Sequence, residues 1–242
     1  MARPLSSPTF RRQRRQLLMG LGALVAASCL GLSSPVAATL NPSRLRQVMQ
    51  SRFGAEGIAA LDAWLALLDR LQPLGIAAQL RGVNDFFNQR IRWLEDRAIW
   101  QQEDYWATPL ETLGKGDGDC EDFTIAKYIS LMQLGVPTER LRLIYVRASI
   151  GRGGLSQAHM VLGYYQLPGA EPQVLDNLVE SIRPASERND LTPVFSFNNG
   201  PHASRLCWTC SYPNSPHGFL GKSRIFRQIC PCFSTICSFV YA

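Results

Sequence analysis

Gly116-Asp117-Gly118-Asp119-Cys120-Glu121-Asp122-Phe123 ends a glycine-rich stretch, Gly114 to Gly118, and opens a helix that the apolar spacing carries from about Asp119 to Leu134. The far end of that helix is marked by Gly135, which can take the left-handed cap conformation, and by Pro137, which cannot continue a helix. Upstream, Asn41-Pro42-Ser43 reads as a helix start, and apolar residues recur at helical spacing through Val48, Ile58, Leu61, Leu65, Leu68 and Leu71. Gly54 and Gly57 are expected to divide this run into two helices, Pro73 and Gly75 to end the second, and Leu80 to Trp93 to form another amphipathic helix. Downstream, Leu141 to Arg147, His159 to Gln166 and Gln173 to Leu178 read as strands separated by Gly-rich or Pro-Gly loops. A helical lobe followed by an antiparallel sheet is an α+β plan.

Charge excludes one broad class of function. Of 25 basic and 19 acidic residues, five basic and no acidic ones fall in residues 1–38, and four basic and no acidic ones fall from Gly200 onward. Residues 39–199 therefore hold 16 basic against 19 acidic residues, a net −3, although the whole chain stands at +6. Neither basic end forms part of a folded, groove-tracking surface, so no nucleic-acid partner is expected.

The ends read differently from the middle. Arg11 to Arg15 followed by the apolar run Leu17 to Leu32 and by Val36-Ala37-Ala38 reads as a cleavable export signal over residues 1–38. Arg14-Arg15-Gln16-Leu17-Leu18 leaves both the Sec and the twin-arginine route open. From Gly200 five of the seven cysteines and two of the three histidines crowd into an acid-free tail. Cys207-x-x-Cys210 with Cys230-x-Cys232 could be read as a zinc site, but the second spacing is unusual. We expect residues 200–242 to be an atypical cysteine-rich tail without a fold, of the kind a shifted reading frame produces from near Asn199.

Export permits disulfides, yet residues 39–199 contain only one cysteine, Cys120. An unpaired cysteine is either a small buried hydrophobe or a nucleophile. A helix N-terminus favours the thiolate, and its free backbone N–H groups can also receive the oxyanion formed when a thiolate attacks a carbonyl. Outside the tail His159 is the only histidine, so any Cys–His pairing must use it. Asp176, at the end of the next strand, is the candidate to orient the ring, with Asn177 as the near alternative. Asp119, Glu121 and Asp122 oppose thiolate formation unless something neutralises them. Helix capping accounts for one or two of these acids; a divalent cation with hard oxygen ligands, calcium foremost, would account for all three.

At these residues the sequence resembles a known family. The Cys120 motif, Ala158-His159-Met160-Val161-Leu162 and Val174-Leu175-Asp176-Asn177 are similar to the bacterial transglutaminase-like cysteine proteinases of the LapG type. Val83 to Asn88, Asp104 to Pro109 and Asp190 to Asn198 also resemble that family, so the likeness spans about residues 45–198. The resemblance implies a papain/transglutaminase-like core over residues 39–199, a catalytic Cys120–His159–Asp176 triad, and calcium held by Asp119 and Glu121 with Asp122. It further implies a periplasmic endopeptidase that cuts the N-terminal region of a large surface adhesin and so promotes biofilm release. An inner-membrane cyclic di-GMP receptor is implied as its inhibitor. Two other readings remain: a transglutaminase or amidase that passes the acyl group to an amine, and a non-catalytic, calcium-regulated binding module.

Overall fold

The computed structural model describes residues 40–151 and 155–198, with the backbone of 209–211. The stretch read as an export signal and, apart from that short piece of backbone, the cysteine-rich tail lie outside the described residues.

Helix α1 (Pro42–Leu71) starts as its sequence demands: the Asn41 side chain accepts the Arg44 N–H and Pro42 occupies the first turn. Gly54, at φ 64°, kinks it, whereas Gly57 stays inside the helix at a point where Phe53 and Met49 leave no room for a side chain. The next helix, α2 (Ile76–Arg90), begins earlier and ends sooner than expected, and Arg92–Trp93 form a short strand β1. Two short helices lacked apolar periodicity and escaped the sequence reading, α3 (Asp96–Trp100) and α4 (Pro109–Lys115). The expected glycine-rich loop is therefore shorter than Gly114 to Gly118, since Gly114 and Lys115 belong to α4. A signal for α4 was present in Thr108, whose side chain caps the Glu111 N–H while Glu111 returns a bond to the Thr108 N–H.

Strand β2 (Asp117–Gly118) pairs in parallel with β1, placing Arg92 opposite Asp117 and Trp93 opposite Gly118. Helix α5 (Cys120–Gln133) follows and is buried almost from end to end, through Phe123, Ile125, Ala126, Tyr128, Ile129 and Leu131. Its depth is fixed by a polar pin as well as by apolar packing: the Trp64 indole N–H of α1 donates to the Ser130 hydroxyl at 2.8 Å. Gly135, at φ 85°, ends it as expected.

The sheet is antiparallel throughout: β3 (Leu141–Ile150), β4 (Leu155–Tyr164), β5 (Gln173–Leu175), β6 (Arg183–Pro184), β7 (Leu191–Asn198) and β8 (Thr209–Ser211) lie in the order β6-β5-β4-β3-β7-β8. Strands β3 and β4 pair over ten residues without a bulge, from Leu141 opposite Tyr164 to Ile150 opposite Leu155. The main core lies between helices and sheet and takes Leu143, Met160, Leu162 and Leu175 from the strands; Ile144, Val146, Val161 and Val174 form a smaller cluster of the opposite parity. This is the α+β plan read from the sequence. No helix among the described residues is long and apolar enough to cross a membrane.

Candidate active site

Cys120 is the first residue of α5, with Asp119 at the N-cap position, so the thiol sits where the helix leaves its N–H groups unpaired. It is a free, partly buried cysteine that shares a cavity of about 400 Å³ with His159, Trp106, Tyr145 and Met160. The helix meets β4 through Thr124, whose hydroxyl donates to the Met160 carbonyl at 3.1 Å. Burial pushes the Cys120 thiol well up, and the charges of Glu121 and Asp119 push it further; the Met160 backbone N–H opposes them. The thiol donates to Glu121 Oε2 at 2.8 Å, the arrangement of a neutral sulfhydryl beside a carboxylate.

His159 lies in the middle of β4 rather than at its start, because the strand begins at Leu155. Its strand parity is that of Val161, not of Met160, which puts it on the face of Val174 in β5 and of Asp176, the residue just after that strand. The ring is 2 % exposed, and its Nε2 lies 2.7 Å from Asp176 Oδ1. Asp176 is held from several sides at once: Oδ1 also accepts the Asn177 and Leu178 N–H groups, and Oδ2 accepts Arg188 Nη2 at 2.6 Å. Arg188, itself 3 % exposed, ties the site to Asp190 as well. Burial pushes the Asp176 carboxyl up, but the His159, Leu178 and Arg188 bonds win and hold it at about 2. An acceptor that stays ionised requires the proton on His159 Nε2, which leaves Nδ1 as the ring's basic nitrogen. Of the two candidate orienters, Asp176 makes the side-chain bond to His159; Asn177 contributes its backbone N–H to Asp176 instead.

Because the folded-state pKa of Asp176 is depressed below the ordinary 3.8, its stabilisation is complete above about 3.8 and is lost as pH falls toward about 2. The shift corresponds to on the order of 2 kcal/mol. Thermal melts of the native protein and of Asp176→Asn should therefore differ by a constant amount near neutrality, and the gap should close only below about pH 4; a gap that already closes near pH 6 would contradict the depressed value.

The acids form a cluster larger than the sequence suggested. Ligand atoms of Asp96, Asp104 and Glu121 lie within 4.8 Å of one another, and so do those of Asp96, Asp119 and Asp122. The three acids named from the sequence thus fall into two overlapping groups joined by Asp96, which is 3 % exposed. Asp96 and Asp104 were missed because they lie far upstream; the parallel β1–β2 pair, continued by the Leu94 N–H to the Gly118 carbonyl, carries their segment alongside the start of α5. Gly118 permits this, since a Cβ there would stand 2.9 Å from that of Asp122. Burial raises Asp119 to about 10, with help from Glu121, Asp122 and Asp96. Burial likewise raises Asp96 to about 6 and Asp122 well above its usual range. The capping account covers little of this: Asp119 makes no side-chain cap bond, and Asp122 Oδ1 instead accepts the Ala107 N–H at 2.7 Å. Asp96 Oδ1, Asp104 Oδ1, Asp119 Oδ1 and Asp122 Oδ2 are buried without hydrogen-bond partners. Four buried, unpartnered carboxylate oxygens, in two acid triplets that share Asp96, are a donor set suited to a hard divalent cation, so the residues present fit calcium.

The sequence profile of the bacterial transglutaminase-like cysteine proteinases matches residues 72–190, the stretch that contains Cys120, His159, Asp176 and the acid cluster. LapG of Legionella pneumophila is 33% identical over 82% of this chain and 99% of its own, with a TM-score of 0.65. The chain belongs to this family. Two further structures of the same Legionella protein match. One, described as calcium-bound, is 40% identical over 66% of this chain and 84% of its own, with a TM-score of 0.58. The other, described as EGTA-treated, is 33% identical over 82% of this chain and 99% of its own, with a TM-score of 0.65. None of the curated proteins matches. Membership of the transglutaminase-like proteinases accounts for a helix start bearing a lone cysteine set against an antiparallel sheet.

Proposed function

We propose that this protein is a calcium-dependent cysteine endopeptidase of the periplasm, with Cys120 as nucleophile, His159 as general base and Asp176 as the residue that orients it. One observation carries the reading: the buried His159 Nε2–Asp176 bond leaves Nδ1 as the basic nitrogen of a ring that lines the same cavity as the thiol. Nδ1 takes the thiol proton, and sulfur attacks a peptide carbonyl carbon to form a C–S bond. The oxyanion faces backbone N–H groups of the first turn of α5. Collapse breaks the C–N bond as His159 returns the proton to the leaving amine. Water, deprotonated by the same nitrogen, then breaks the C–S bond and restores the thiol. Asp96, Asp104, Asp119, Glu121 and Asp122 are the residues that would hold calcium, and a bound divalent cation supplies positive charge against the acids that otherwise oppose the thiolate.

The substrate we infer is the N-terminal region of a large surface adhesin, whose cleavage releases a biofilm, and the inhibitory partner is an inner-membrane cyclic di-GMP receptor. These follow from the family resemblance alone, not from the cavity's shape. The test incubates purified protein with an adhesin N-terminal fragment in excess calcium and in chelator. Cleavage in calcium, suppressed at least about tenfold by chelator, is expected. Amine incorporation without cleavage would favour the transglutaminase reading, and function that survives alkylation of Cys120 would favour the binding module.

A further inference from the structure

Lys127 is 1 % exposed and lies on α5 seven residues beyond Cys120, about 10 Å further along the axis. Its ammonium donates to Asn84 Oδ1 at 2.9 Å and to the Asp176 backbone carbonyl at 3.0 Å, and stands 5.7 Å from the centre of the Phe123 ring. Asn88 donates to the same carbonyl at 2.8 Å, and Asn84 donates to the Glu180 carbonyl at 2.7 Å. Two asparagines of α2 and one lysine of α5 thus grip the Asp176–Glu180 loop by its main chain, while Arg188 grips the Asp176 carboxylate.

No salt bridge involves Lys127 among the described residues; both of its bonded acceptors are neutral, and burial lowers its pKa to about 7. Stability alone does not favour such a group, because an apolar side chain of the same length avoids the desolvation penalty. A buried ammonium aimed at the main chain of the residue that orients His159 has a use that methionine lacks.

We propose that Lys127, with Asn84 and Asn88, is a positioning residue: it fixes Asp176, and through it the His159 ring, to the same helix that carries Cys120. Nucleophile and orienting acid are then tied to one helix, so the carboxylate that sets the tautomer and tilt of the β4 ring keeps station with the thiol. The inference rests on the catalytic reading above.

The test compares Lys127→Met, Asn88→Ala and their double variant with Ser130→Ala, which removes a buried bond of the same helix that does not involve Asp176. Lys127→Met is expected to melt at or above the native temperature yet to lose on the order of 10- to 100-fold in kcat with KM unchanged. Asn88→Ala should fall in the same direction, and the double variant by less than the product of the two, since both act on one carbonyl. Ser130→Ala should lose melting temperature and keep kcat. A second measurement needs no substrate: in ¹⁵N imidazole spectra, assigned by the resonance missing from His159→Asn, the native ring should show one pinned Nε2–H tautomer and the two variants a mixture. A tautomer equally pinned in all three proteins, or a kcat that falls only in step with melting temperature as for Ser130→Ala, overturns the proposal. If the native protein cleaves nothing, the catalytic reading fails while the ring spectra still decide the positioning.

Discussion

Cys120→Ser should fold, melt within a few degrees of the native protein, and cut at least about 1,000-fold more slowly. The serine hydroxyl can still donate to Glu121 and leaves the apolar packing of α5 untouched, so little stability is at stake. What is lost is the ionisable atom that shares a cavity with the His159 imidazole. The acids that already hold the thiol high would hold a hydroxyl higher still, and no second cysteine stands near it among the described residues. Rates on the adhesin fragment, with melts of both proteins in parallel, check this; residual activity within about tenfold of native would remove Cys120 from the reaction.

Asp96→Asn should have effects of opposite sign with and without calcium. Asp96 is the one member common to both acid triplets, and its Oδ2 accepts the Tyr105 N–H, a bond that an asparagine oxygen can keep. In chelator the substitution removes a carboxylate that burial, and then Glu121 and Asp104, already disfavour, so the variant should melt a few degrees above the native protein. In excess calcium the order should reverse, and cleavage should drop on the order of 100-fold because the shared ligand has lost its charge. Glu121→Ala, which touches only the triplet with Asp96 and Asp104, should lower activity and calcium response less. Melts in calcium and in chelator decide the matter; a variant less stable than native in both would assign Asp96 to structure alone.

The parts of the site that were legible in the sequence share a property: each was scarce. Cys120 and His159 stand out because residues 39–199 contain one of each, and the helix start at Asp119 is written in adjacent residues. Asp176 was reachable because β4 and β5 are consecutive neighbours, so a short strand end falls beside the histidine. Asp96 and Asp104 were not reachable. Aspartates are common, and the two-residue parallel pairing that brings theirs to Cys120 has no periodicity to betray it. Arg188 and Lys127 escaped for the same reason; nothing local to either points at Asp176. The strand parity of His159 was also hidden, because alternation along β4 gives two faces without saying that α5 meets the strand through its Met160 backbone.

That two-residue pairing has a consequence for how the site comes apart. Only two residues pair on each side, and the bidentate Arg92–Asp117 ion pair that accompanies them is open to solvent on its Arg92 side, at 73 % exposed. With two pairs against the ten of the β3–β4 ladder, the segment from Arg92 to Trp106 is expected to open at a lower free energy than that ladder or the buried length of α5. Amide exchange should be fastest there and slowest in α5. Asp96 and Asp104 then leave the acid cluster by brief local melting while the sheet and α5, with Asp119, Glu121 and Asp122 at its start, stay folded, and a cation held by all five acids would set how often that happens rather than whether the protein survives.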